Sequence, residues 1–509
     1  MTLRLSALAL AAMIFLTARS ADEAITYSSH IAGILYKNCA QCHHPGEVAP
    51  FSLLTYDDAS KRAKMIARVT ASRYMPPFKA EPGAGEFRDI CRLTDTEIAS
   101  IRAWVDAGTP EGDPKTAPRA PTFTNGWTLG TPDMVVTMPE AFAIPAEGKD
   151  VFQCFVLPAD MPEERFLVAY EFRSGNPKVV HHAIVSQDNT GEAIANDKAD
   201  PAVGYKSNGT GTGLKAAFHK VLGVWTPGVV PGLLPEGVAL RLEKNAVIVL
   251  QIHYHPSGKP ETDQSSVGLY FSKTPPAQFA HYTTLFQTKF AIPPGDAHHA
   301  VEATRDVHAN GRVIAIAPHM HLIGREMKVT ATAPDGTVTP MVWVKNWDFN
   351  WQHQYFYAKP FPLVKGTKVK LEAIFDNSAE NANNPSHPPK LVKFGEGTND
   401  EMAGVILLTV DGAKNYKVAT VDPAALARYV GKYALDIPTT LDISQDGGAL
   451  KALVDGKGKK VPLTAVSDTE FISHEPEAKL TFRKDSNGEF GLIVVEVNGK
   501  HHAGKRVKN

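Results

Sequence analysis

Short β-prone runs recur between residues 125 and 415, separated by clusters of turn formers. Met134 to Thr137, Arg165 to Tyr170, Val247 to Tyr254, Val313 to Ala317 and Val405 to Val410 are such runs. The stretches SGNP, PSGKP, PDGT and PSHPP lie between them and offer the Gly, Pro, Asn and Asp that turns require. Many short strands with this punctuation must stack as layers, and the length of the region predicts two antiparallel β-sandwiches. They are expected at 125–275 and 276–415, divided near Ser272-Lys273-Thr274-Pro275-Pro276.

The flanking regions read differently. Residues 24–112 are helical in pattern. Ile31 to Cys39 has apolar residues at helical spacing. Thr94 stands as an N-cap with Glu97 three residues on, Ile98, Ile101, Trp104 and Val105 form the apolar stripe, and Gly108 is the stop. The Pro-rich stretch DPKTAPRAPTF marks 113–124 as a linker. From 423 to 509, alternating runs between Gly and Asp turns predict a small antiparallel β-barrel with a structural or docking role. The chain is therefore multidomain, as 509 residues would suggest.

Residues 1–20 carry Arg4, a short apolar core and small residues at Ala18 and Ser20, which reads as a secretory signal cut before Ala21. A periplasmic or secreted location follows. No later stretch approaches the roughly 18 uninterrupted apolar residues of a membrane span. A net charge of -1 without long runs of one sign argues against a nucleic-acid partner.

Cys39-Ala40-Gln41-Cys42-His43 is a covalent haem signature, in which two thiols and an adjacent imidazole fix one porphyrin orientation. His43 is the expected proximal ligand of haem c. Met75, in Arg73-Tyr74-Met75-Pro76-Pro77, is the leading sixth ligand, with Met65 and His44 as rivals. A His/Met pair suits electron transfer. Cys91 and Cys154 remain, either as a disulfide or as two separate thiols.

Three histidine groups stand in the β region: His181-His182, His253 with His255, and His319-Met320-His321. Residues two apart on a strand share a face, so His319 and His321 can meet one metal ion. Adjacent His181 and His182 can do so only if the strand twists or bulges. Blue copper needs a cysteine thiolate, and none lies nearby. Zinc accepts three imidazoles but makes little use of methionine. Copper cycling between two oxidation states suits imidazole with thioether, so non-blue copper is expected.

These residues carry a family resemblance. Residues 150–410 resemble the copper type II, ascorbate-dependent monooxygenases, the family of peptidylglycine α-hydroxylating and dopamine β-monooxygenase. Val180-His181-His182 is similar to the family's HH and Leu250-Gln251-Ile252-His253-Tyr254 to the segment of its third imidazole. Pro318-His319-Met320-His321-Leu322-Ile323-Gly324-Arg325 is similar to the HTH segment, and Gly397-Thr398-Asn399-Asp400-Glu401-Met402 to the methionine segment. The resemblance implies one copper on His181, His182 and His253 for electron transfer, and one on His319, His321 and Met402 for oxygen activation and hydroxylation. It implies jelly-roll-like sandwiches facing across a solvent-filled cleft, and leaves His255 as a neighbour.

CAQCHHPGEVAPFSLLTYDDA followed by MPPF resembles cytochrome c-like domains fused to bacterial oxidoreductases, which implies Met75 as the axial ligand. The expected partners are O2, a small-molecule substrate, ascorbate or another electron donor, and a redox partner protein. The alternatives are a haem/copper carrier without hydroxylase activity, or a copper-binding module that has lost catalysis. Two departures from the amidating enzymes weigh against a peptidylglycine substrate: Ala317 replaces their Arg, and Ile406 their Tyr. The aromatic stretch Trp343, Trp347, Phe349, Trp351, Tyr355 and Phe356 reads either as sandwich core or as a substrate lining.

Overall fold

The computed structural model describes residues 24–47, 49–123, 126–148, 150–207, 214, 220–274, 276–395, 397–411, 419, 421–446, 449–457, 460–474, 477–497 and 500–507. The expected signal at 1–20 lies outside the described residues. The chain forms two compact units, Met1–Pro76 with Cys91–Phe123, and Pro77–Ile90 with Thr124–Asn509.

The first unit is helical. A wide turn at Tyr27–Ile31 runs into a helix at Ala32–Asn38, followed by helices at Tyr56–Ser60, Ala63–Ala71 and Asp95–Asp106. The last begins at a complete capping box: Glu97 N–H donates to Thr94 Oγ1 at 3.2 Å, and Thr94 N–H donates to Glu97 Oε2 at 2.7 Å. Gly108 at φ +82° supplies the left-handed stop. Ile31, Leu35, Ile66, Ile101 and Trp104 form the core, and the Trp104 indole N–H donates to the Pro110 carbonyl at 3.1 Å. Thr94→Ala is expected to destabilise this unit by about 1 kcal/mol, read as a lower denaturant midpoint for loss of helical circular dichroism.

The unit departs from 24–112 at two places. Residues 113–123 stay with it, Phe123 stacking on His44 at 3.7 Å. Pro77–Ile90 leaves it, because this segment forms no helix and instead pairs with strands of the second unit, Ala80 with Val344 and Phe87 with Tyr357.

The second unit is mostly β. Its main sheet has eight strands in the order Met134–Thr137, Ser266–Phe271, Arg165–Arg173, Val238–Leu242, Gln278–Gln287, Ala403–Asp411, Gly311–His319 and Tyr355–Leu363. One half of it belongs to the expected first sandwich and the other to the second. The join is Gln278–Gln287, parallel to Val238–Leu242 on one side and antiparallel to Ala403–Asp411 on the other. The expected division at 272–276 is thus a connection, not a gap between separate sheets.

Each half of this sheet is layered against a second one. A five-stranded sheet (Tyr205–Lys206, Val151–Leu157, Val247–Tyr254, Val180–Asp188, Val221–Trp225) shares a core with the first half, including Phe155, Leu250, Leu269 and Tyr282. A four-stranded sheet (His299–Asp306, Lys368–Phe375, Gly324–Thr332, Val338–Val344) packs with the second half around Ile316, Met327, Val342 and Phe375.

From Gly431 to Arg506 eight sequential strands close into a barrel, its last strand pairing back on its first. Tyr429, Tyr433, Phe471 and Phe482 fill it, so it is a packed core and not a lumen. Cys154 is wholly buried on its strand, where burial pushes the thiol up to about 12. Among the described residues no helix is long and apolar enough to cross a membrane.

Candidate functional site

His181 and His182 lie on the strand Val180–Asp188, and His253 on its neighbour Val247–Tyr254. His182 pairs directly with His253, and the register slips between Val180 and His182, so His181 is the extra residue of a bulge. This is the backbone irregularity that adjacent histidines need in order to face one point. The Nδ1 atoms converge: His181 to His182 at 3.2 Å and His182 to His253 at 3.3 Å. The three ligand-capable nitrogens lie within 4.8 Å of one another.

Asp150 orients this set. His253 Nε2 donates to Asp150 Oδ2 at 2.8 Å, which leaves the His253 Nδ1 lone pair pointing at its partners. The other carboxylate oxygen takes His255 Nδ1 at 2.8 Å. His255 itself is 71% exposed, a neighbour and not a member. Burial alone would raise the Asp150 carboxyl, but the hydrogen bonds and charges of His253 and His255 outweigh it and bring it to about 2. Asp150→Ala is expected to weaken metal binding at this set by roughly 10–100-fold, measured by competition titration with a chelator.

The second group sits on the main sheet, in the half that packs with the four-stranded sheet. His319 ends the strand Gly311–His319, and the His321 ring stands 5.2 Å from it, nearly perpendicular. His319 is paired with Gly404, which brings Met402, just before the adjoining strand, to the same end of the sheet. Gly404 is obligatory, because a Cβ there would run into the Phe286 ring.

Here the tautomers are fixed the other way. Gln352 Nε2 donates to the Phe349 carbonyl at 3.0 Å, so its Oε1 accepts from His319 Nδ1 at 2.7 Å. His321 Nδ1 donates to the Asp400 carbonyl at 3.0 Å. Both Nε2 lone pairs are left, and that of His319 is buried with no hydrogen-bond partner among the described residues. Glu401 is buried beside them, its carboxyl accepting from the N–H groups of His321, Ile323 and Met402 at 2.8, 2.7 and 3.3 Å. The Trp347 indole donates to the His321 carbonyl at 3.0 Å.

Burial, the largest influence in each case, lowers His181 and His319 to about 3, His182 well below its ordinary range, and His321 as well. All four are therefore neutral near pH 7, the form that binds metal. The two groups are close enough for His319 and His321 to act electrostatically on His182. Phe349 stands between them, 5.5 Å from the His181 ring and 6.0 Å from His321.

In the helical unit, Cys39 closes the helix Ala32–Asn38 and the chain turns tightly, His43 N–H donating to the Cys39 carbonyl at 2.9 Å. His43 Nδ1 donates to the Phe51 carbonyl at 3.0 Å, leaving Nε2 as a ligand atom. Burial, helped by the nearby Cys91, pushes Cys39 and Cys42 up to about 12. Met75 is half-buried in the loop after Ala63–Ala71, its N–H donating to the Val69 carbonyl at 3.1 Å. Met65 is half-buried on that helix, and His44 Nδ1 donates to the Ala40 carbonyl at 2.9 Å.

Sequence reasoning passed over Asp150, Gln352 and Glu401 as site residues. Asp150 lies 103 residues from His253 and Gln352 33 from His319, so no local pattern joins them. Glu401 had a signal, its place beside Met402. The aromatic stretch divides: Tyr355 is core, whereas Phe349 and Trp347 meet the histidines.

Residues 415–506 match the family model described as Domain of unknown function (DUF3471). No curated protein matches the chain. Among solved structures, the major capsid protein P2 from bacteriophage PM2 is similar at 10% identity and a TM-score of 0.22, over 55% of this chain and 98% of that one. A structure of infectious bursal disease virus follows at 12% identity and 0.15, over 58% and 76%. A mycobacterial arabinofuranosyltransferase, AftD, gives 9% and 0.13, over 72% and 39%. Likenesses at these scores carry no argument about fold or activity.

Proposed function

We propose that the protein is an exported copper-dependent monooxygenase that hydroxylates a C–H bond of a small organic substrate with O2, taking electrons from ascorbate, from a haem c on the same chain, or from both. The observation that carries this reading is the convergence of three imidazole Nδ1 atoms at 3.2–3.3 Å on a bulge that the strand pairing alone would not require. Lone pairs gathered so closely repel one another unless a cation or proton lies among them.

The residues fit copper. His181, His182 and His253 offer three neutral nitrogens, while His319 and His321 offer two more with the thioether of buried Met402, a soft donor. His43 Nε2 and the thiols of Cys39 and Cys42 fit a covalent haem, with Met75 as the second axial ligand. When bound, copper supplies the one-electron chemistry that turns O2 on a C–H bond, and haem c supplies single electrons.

The chain's own part is orientation and exclusion. Asp150, Gln352 and the Asp400 carbonyl hold the tautomers, Glu401 and Trp347 hold the His321 turn, and Phe349 packs near one imidazole of each group. Ala317 and Ile406 are directly opposite one another, half-buried, on the strands that lead to His319 and Met402. That apolar pair offers no grip for a carboxylate, which favours a neutral, apolar substrate.

Metal and haem analysis of the exported protein, coupled to ascorbate-driven oxygen uptake over a panel of neutral aromatics, amines and peptides, tests the proposal. Two coppers per haem and uptake in step with hydroxylated product support it. Zinc or no metal sinks it, and metal loading without oxygen uptake would favour an electron carrier.

A further inference from the structure

We propose that Gln354, held by Tyr282, recognises the neutral hydroxyl head of the substrate, whose apolar body lies over Ala317 and Ile406 with its other end at His319. Calling this ligand a substrate rests on the monooxygenase reading above, while the site itself is defined by side chains on one face of the main sheet.

The strand ladder lays that face out in rows. Side chains two residues apart on a strand share a face, so Phe286, Thr284, Tyr282 and Ala280 stand on one side of Gln278–Gln287. Their partners on Ala403–Asp411 are Gly404, Ile406, Leu408 and Val410 in turn. The first three of these pair onward with His319, Ala317 and Ala315. On the next strand Phe356 stands opposite Ala315 and Tyr355 opposite Ile316. The same register puts Gln354 beside Ala317 and Gln352 beside His319, from whose Nδ1 it accepts.

Burial divides the face. Ala280, Tyr282, Ala315, Leu408 and Val410 belong to the buried core shared with the five-stranded sheet. Thr284, Phe286, Ala317, Ile406 and His319 are only half-buried, so the sheet is left partly uncovered next to His319.

Gln354 and Tyr282 mark the inner limit of that patch. The strand of Tyr282 and the segment of Gln354 are three strand spacings apart, about 14 Å. Yet Gln354 Nε2 donates to the Tyr282 hydroxyl at 3.3 Å. The two side chains therefore reach toward each other over the two strands between them and lie as a bar across the floor. Gln354 is 7% exposed, and its Oε1 is buried with no hydrogen-bond partner among the described residues. Turning the amide round would leave Nε2 unpaired instead, so one polar atom at the bar lacks a partner in either setting.

A hydroxyl both donates and accepts, and so pairs with either end of the amide. Gln354 and Tyr282 are uncharged, burial pushing the phenol up to about 12. A carboxylate or ammonium head would be buried there without a counter-charge. Successive rows lie roughly 7 Å apart along a strand, which allows one aromatic ring with a short substituent between the bar and His319.

The test titrates the full-length protein by calorimetry with 4-ethylphenol, ethylbenzene and 4-ethylbenzoate, which share a body and differ in the head. 4-Ethylphenol is expected to bind once per chain and roughly tenfold more tightly than ethylbenzene, with 4-ethylbenzoate the weakest. Gln354→Met is expected to equalise the first two, and Ala317→Leu, which fills the floor, to abolish the binding of both. Should Gln354→Met not fold, Gln354→Asn, too short to span the same gap, is read in the same way. Equal affinities in the wild-type protein, a preference that survives the Gln354 substitution, or full affinity in Ala317→Leu overturns the site. So does 4-ethylbenzoate bound as tightly as 4-ethylphenol. None of these touches the copper reading, because no turnover is measured. Selective binding by a protein that takes up no copper would keep the site and overturn that reading instead.

Discussion

Glu401→Ala is expected to destabilise the second unit by about 3 kcal/mol and to lower copper at the His319 group below one equivalent. The carboxyl is wholly buried and accepts from three backbone N–H groups, two of them on the proposed ligands His321 and Met402. Truncation orphans those donors, and each buried unsatisfied donor costs about 1–3 kcal/mol, partly relieved if water enters the cavity. The strand pair that carries His319 and Met402 would survive, but the turn beyond it would lose its anchor. Burial pushes the Glu401 carboxyl up to about 8, against the pull of the N–H groups. Glu401→Gln keeps one acceptor oxygen but turns an amide donor toward other donors, so an intermediate loss is expected. Thermal unfolding and copper analysis of the two variants decide it; equal stability in all three proteins would show that the clamp is idle.

Met402→Ala should remove hydroxylation while sparing the rest of the redox apparatus. Loss of a residue that merely orients a ligand weakens metal sites by roughly 10–100-fold, and loss of a direct donor should exceed that. Because Met402 stands before the strand Ala403–Asp411 and outside the main cores, its truncation should leave the sheet folded. The expected result is product formation below detection, a single remaining copper per chain and haem reduction by ascorbate unchanged. Turnover that persisted in Met402→Ala would show that the oxygen-activating centre lies elsewhere.

Local rules read the helical cap and the strands well. The capping box at Thr94, the strand Met134–Thr137 and the strand Val247–Tyr254 were legible because propensity, capping and turn chemistry act within a few residues. The bulge at His181 was legible as a condition, since two adjacent side chains cannot otherwise share a face. The Pro77–Ile90 arm was not. Its Phe78 and Phe87 look like ordinary apolar residues of a helical region until their partner Tyr355, more than 250 residues on, is known. Gln352 was hidden for the same reason, because a polar residue in an aromatic stretch shows nothing of the imidazole it holds.

The strand Gln278–Gln287 belongs to both halves of the β region at once, and this makes the β region indivisible. A chain cut at 272–276 would leave the rim of Val238–Leu242 bare on one fragment and that of Gln278–Gln287 bare on the other, open templates for self-association. Neither histidine group could be inherited, swapped or expressed as a soluble module of its own. The His181 group stands on the five-stranded sheet and the His319 group on the main sheet, and the two sheets share a core, so a lineage could alter the residues of one group freely only while keeping the other half as its scaffold.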